Sequence, residues 1–203
     1  MLSSKMRGFT LIEMLTVLSI SFIVTAFAVM NIQGALKDAR VTTAYNQTLM
    51  TLRNTRQLAV DDRKTYVVTF VPPQTIQVSR QDGGTPLPPA VLLNTYTLPW
   101  DVQFRTEAGI PTTATTTPDG FGTAISPLDL DQGSGGGGTS VYFQPNGGGY
   151  DLLGNVNNGV IYMAHPGDLY TSRAITLYGL SGRLRGWRLY KNTVSGVSQW
   201  QAN

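Results

Sequence analysis

The sequence predicts an α+β fold in which one long amino-terminal helix, apolar in its first half and amphipathic in its second, packs on antiparallel β-sheet. Three observations carry that prediction. An apolar run from Phe9 to Met30 contains neither Gly nor Pro. The stretch 35–62 continues without either residue and sets apolar side chains at helical spacing. From Thr65 onward, β-branched and aromatic runs alternate with Gly- and Pro-rich breaks. The 203 residues are 41% apolar and 13% charged, too hydrophobic for a disordered chain. The absence of Cys excludes a disulfide framework and thiolate chemistry, and the single His, His165, leaves little for a metal site. No cofactor is expected.

The apolar run follows a short polar flank that carries Lys5 and Arg7. At roughly 1.5 Å per residue it makes about 33 Å of helix, matching the ~30 Å hydrocarbon core of a bilayer. Segment 9–32 is therefore expected to span a membrane. A secretory signal competes with this, because Ala26-Phe27-Ala28 has the small-residue form of a cleavage site. Against it, the run exceeds the roughly 7–15 apolar residues of such signals, and it contains Glu13. A carboxylate in hydrocarbon costs about 2.5 kcal/mol or more and marks function.

Gly8-Phe9-Thr10-Leu11-Ile12-Glu13, preceded by Lys5 and Arg7, resembles the processing site of type IV prepilins and type II secretion pseudopilins. The resemblance implies a pilin fold, with a leader, 1–8, cut between Gly8 and Phe9 by a prepilin peptidase/N-methyltransferase that also methylates the new terminus. The helix is then kept. Lys5 and Arg7 on one flank face Lys37 and Arg40 on the other, so orientation comes from the resemblance rather than from charge. It implies a single pass through the inner membrane, the amino terminus cytoplasmic and the head periplasmic. A Phe9 amine would lie four residues, about 6 Å, before the Glu13 carboxylate on the same helix face. The resemblance implies that Glu13 neutralises the terminal amine of a neighbouring pilin or pseudopilin and sets the stagger of a filament. An intrachain pair that lowers the insertion cost is the alternative. Both make Glu13 sensitive to mutation.

The amphipathic half, 33–64, places Val41, Tyr45, Leu49, Leu52 and Ala59 on one stripe, with Lys37, Arg40, Arg53, Arg56 and Arg63 mostly off it. Gly34 is the one weak point in the helix. Strands are expected at 65–71 and 75–80, joined by Pro72-Pro73-Gln74, and at 90–98, 101–105, 139–144, 160–164, 174–178 and 183–190. Together 65–203 form a β-rich head. Segment 112–138, rich in Thr and Gly, reads as a flexible surface insertion. Its Gly135-Gly136-Gly137-Gly138 run lacks the Lys-Ser/Thr and the helix that a phosphate loop needs.

The carboxyl portion runs Val141-Tyr142-Phe143-Gln144-Pro145-Asn146-Gly147, then a strand near Ile161, then Ala174-Ile175-Thr176-Leu177 and Ser181-Gly182-Arg183-Leu184-Arg185. That order resembles the FimT/GspH group of minor pilins and pseudopilins. Charge is uneven here: from Leu169 to Asn203 there are five bases, Arg173, Arg183, Arg185, Arg188 and Lys191, and no acid. On a strand, Arg183, Arg185 and Trp187 share one face, opposite Leu184 and Gly186. In FimT-type minor pilins the Gly-Arg-x-Arg segment is associated with DNA binding during natural transformation. The resemblance makes Arg183 and Arg185, with Arg188 and Lys191 beside them, candidate contacts to DNA phosphates. The alternative is a solvated strand whose arginines pair with acids such as Asp168 or Asp151. His165, Ser181 and Asp168 sit in no nucleophile-elbow context, so no enzymatic activity is expected.

Overall fold

The computed structural model describes residues 9–83, 89–99, 101–123, 125–132, 138–192 and 196–203, with the side chains of 28–31 and 33 left aside. The leader 1–8, including Gly8, and the glycines 135–137 lie outside the described residues. The chain divides into two compact units, Met1–Lys37 and Asp38–Asn203. A single helix, α1 (Leu11–Asp62), supplies most of the first and the opening of the second.

In the first unit, Thr10 caps α1: its hydroxyl accepts the Glu13 amide at 3.3 Å, one of the donors that a helix start leaves without a partner. The large apolar side chains from Leu11 to Phe27 are 54–83% exposed and point in all directions. Every hydroxyl among them bonds back into its own helix: Thr16 to Glu13, Ser19 to Leu15, Ser21 to Val17 and Thr25 to Ser21, at 2.7–2.8 Å. Among the described residues, no helix is long and apolar enough to cross a membrane.

In the second unit the expected stripe is the buried one. Val41, Tyr45, Leu49, Leu52 and Ala59 are all in the core, joined by Ala44 and by Thr48, Thr51 and Thr55. Thr48 and Thr55 satisfy their hydroxyls on the carbonyls of Ala44 and Thr51. Arg63, in the left-handed region at φ 53°, follows the helix end. β1 (Thr65–Val71) and β2 (Thr75–Gln81) form the expected hairpin, and β3 (Val91–Thr97), β5 (Ser140–Phe143) and β6 (Gly149–Tyr150) complete a first sheet ordered β3-β2-β1-β5-β6. The second sheet is ordered β10-β9-β8-β7-β4, from β4 (Leu128–Asp129), β7 (Gly159–Met163), β8 (Arg173–Tyr178), β9 (Arg183–Lys191) and β10 (Ser198–Ala202). All pairings are antiparallel. One core joins the α1 stripe, the inner face of the first sheet and Ile161, Met163, Ile175 and Leu177 of the second.

Two expectations are corrected. Residues 101–105 form no strand beyond an isolated bridge from Gln103 to Ala164, because their backbone bonds go elsewhere. The Val102 amide turns back to Pro99, and that of Phe104 goes to Pro73. Nor is 112–138 all surface. Thr117, Pro118, Leu128, Asp129 and Leu130 are buried. The reason is topological: the outer face of the second sheet carries Val160, Tyr162, Ala174, Leu189 and Trp200, which pack with Ile110, Phe121 and Leu169 into a second cluster. An apolar sheet face must be covered, and this connection covers it.

α1 seats closely on β9 at Gly186. A Cβ there would stand 1.6 Å from the Tyr45 hydroxyl oxygen and 2.6 Å from its ring carbon. Gly186→Ala should cost about 2 kcal/mol by overpacking, lowering the melting temperature by roughly 5 °C. Combined with Tyr45→Leu the loss should be clearly less than the sum of the two single losses, as circular dichroism melts of the four-member cycle would show.

Candidate functional site

At the amino end, α1 starts inside the motif, at Leu11. Thr10 is the cap, Glu13 lies in the first turn, and Phe9 is 75% exposed. The Glu13 side chain is exposed and enters no ion pair among the described residues. The spacing Thr10-Leu11-Ile12-Glu13 is that of a capping box, so Glu13 also suits a helix start electrostatically. Residues 3–29 match the family model of the prokaryotic N-terminal methylation motif.

The chain carries the amino-terminal motif of type IV pilin-like proteins.

No curated protein and no solved structure matches it. The motif implies processing by a prepilin peptidase, membrane anchoring and assembly with other pilins. A long helix on two antiparallel sheets is the pilin-like arrangement that the sequence predicts.

At the carboxyl end of the chain, the five bases separate into different environments. Arg173 on β8 is buried, its side chain 2% exposed, and donates to Asp38 at 2.7 Å, to Thr42 and to the carbonyls of Thr171 and Ser172. Burial pulls its pKa down, and Asp38 opposes that. Arg188 shares the same carboxylate at 3.2 Å and lies over the Tyr190 ring. Arg185 donates to Asp119 at 2.8 Å and stacks on Trp187, 4.4 Å from the ring centroid. Arg183 and Lys191 are exposed. The Gly-Arg-x-Arg face is therefore not a free row of cations. Three of the five bases pair with acids that lie far off in sequence, Arg173 and Arg188 sharing Asp38 and Arg185 taking Asp119, rather than with Asp168 or Asp151.

Asp119 holds that outer face together. It sits in the left-handed region at φ 53° and accepts bonds from Thr176 at 2.5 Å, Arg185 at 2.8 Å and Trp187 Nε1 at 3.2 Å. Asp tolerates this backbone better than most residues. The Tyr178 phenol nearby has its pKa raised, first by burial and then by its bond to Asp119.

The two carboxyl-terminal motifs meet at a residue of α1 expected only on a solvated face. Arg56 donates from Nε to the Gly147 carbonyl at 2.8 Å and from Nη2 to the Ser181 carbonyl at 3.1 Å. Gly182 follows in the left-handed region at φ 60°, and a Cβ there would come 2.0 Å from Gly147 O and 2.5 Å from Arg56 Nε. Both the backbone conformation and the space require glycine. Sequence reasoning missed Asp38, Asp119 and Arg56. Only Asp119 carried a local signal, as an acid between Pro118 and Gly120, residues typical of a turn.

Asp38→Ala leaves Arg173 charged and buried, which should cost about 3 kcal/mol. Replacing Arg173 with Met in the same chain should restore most of that loss in a chemical denaturation series. Failure of the double variant to recover would show that Asp38 acts by another route.

Proposed function

We propose that the chain is a minor pilin or minor pseudopilin of the FimT/GspH type. In this reading it is held in the inner membrane by one pass of α1, with its amino terminus cytoplasmic and its head periplasmic, and it primes or caps a type IV pilus or a type II secretion filament. The observation that carries this is the methylation motif over residues 3–29. It stands at the head of a helix whose large apolar side chains from Leu11 to Phe27 are all more than half exposed. A helix that is apolar all round needs lipid or other helices to cover it. Its hydroxyls, satisfied within their own turns, suit either environment. On this reading the chain is a substrate of the prepilin peptidase and N-methyltransferase rather than a catalyst.

A second reading, DNA contact in natural transformation, draws support from the exposure of Arg183 and Lys191. The pairing of Arg185 and Arg188 narrows it to those two residues and their neighbours. A fluorescence titration with short duplex DNA should then respond to Arg183→Ala/Lys191→Ala and stay unchanged in Arg185→Ala.

Mass spectrometry of the protein purified from membranes of a host with a prepilin peptidase should give a chain starting at N-methylated Phe9. A start at Val29 would overturn the filament role. Glu13→Gln should leave that start and the membrane fraction unchanged, yet lower recovery in sheared filaments at least tenfold.

A further inference from the structure

Where the turn at 179–183 meets α1 there is a cleft of about 390 Å³. Arg53, Arg56 and Arg183 line it, with Gln57, Ser181 and Gly182 between them, and no carboxylate does. Arg53 and Arg56 are three residues apart on α1 and share a face. Arg56 is fixed by its two carbonyl partners, Gly147 and Ser181. Arg53 and Arg183 are exposed and have no acidic partner among the described residues. Three arginines of the second sheet, by contrast, have acids: Arg173 and Arg188 share Asp38, and Arg185 has Asp119. Three arginines thus line one cleft that no carboxylate lines, Arg183 with its guanidinium over the Tyr178 ring, and like charges so placed repel one another unless an anion joins them.

We propose that this cleft binds a phosphate ester. Guanidinium groups match the oxygens of a phosphate with paired, charge-assisted bonds. Arg56 supplies a pre-positioned cation, and the exposed side chains of Arg53 and Arg183 can turn toward the anion. The volume lies within the roughly 300–1,000 Å³ range of small-molecule sites, larger than a lone phosphate fills. The Gln57 amide and the Ser181 hydroxyl can meet the polar group that the phosphate carries. Gly182, which admits no Cβ beside Arg56, keeps the floor of the cleft open. The inference shares only Arg183 with the DNA reading, and it does not rest on the filament role.

The test uses the full chain in a neutral detergent, titrated calorimetrically with inorganic phosphate, adenosine monophosphate, glycerol 3-phosphate and a thymidine octanucleotide. At least one ester should bind tenfold or more tightly than inorganic phosphate. Arg53→Ala and Arg183→Ala should each weaken that ester at least fivefold with the melting temperature unchanged, and Arg185→Ala should leave it alone. Arg56 is not the variant of choice, since its loss also frees two carbonyls. Binding of the nucleotide probes alone would identify a nucleic-acid source, and binding of glycerol 3-phosphate alone a lipid headgroup. The proposal is overturned if no ester binds at millimolar concentration, or if both arginine variants bind as the parent does. Either failure, beside an intact Phe9 start, would leave the filament role standing.

Discussion

The carboxylate of Asp38 reaches across from α1 to two arginines on neighbouring strands, Arg173 of β8 and Arg188 of β9, and the seating of the helix on the second sheet depends on it. The attraction alone explains little, since a buried ion pair is offset by the water its members give up. What it does is forbid alternatives. Arg173 is too deeply buried to be left without a counter-charge, so any sliding of α1 along the sheet strands a cation. Close by, Tyr45 lies over Gly186, where no side chain fits, and fixes the same contact sterically. Charge and shape agree on one register.

That register settles what the carboxyl strand offers outward. The inner side of β9 gives Leu184, Gly186 and Arg188 to the helix. The outer side gives Arg185, Trp187 and Leu189 to the connection that brings Asp119. A strand that looks strongly basic when read alone has two of its four bases, Arg185 and Arg188, paired with acids once folded. Its remaining positive charge sits at its two ends, Arg183 by the turn that meets Arg53 and Arg56, and Lys191 at the other.

The elements with a strong local signature could be read from the sequence. The α1 stripe is legible because five apolar residues recur at helical spacing, and β1, β2, β7, β8 and β9 because β-branched residues cluster between clear breaks. β4 and β6 are two residues long, too short for any pattern, and β10 is Ser-Gln-Trp-Gln-Ala, in which only Trp200 is buried. Residues 101–105 have strand-like residues without a strand-like neighbour. The Thr- and Gly-rich connection has the composition of a surface loop, yet lies on an apolar sheet face that no local pattern announces. The amino-terminal motif was fully legible, since its chemistry sits within six consecutive residues. The ion pairs were not: Asp38 and Arg173 are 135 positions apart, and nothing near either names the other.

Arg56 binds the carbonyls of two loops that approach it from different sheets, and Gly182 exists so that they can come that near. Three positions spread across most of the chain thus answer to a single geometric demand. Drift at any one of them, whether a bulkier residue in either loop or a shorter base on the helix, opens a gap that the other two have no means to close. Descendants of this sequence should therefore keep the trio together or lose it together.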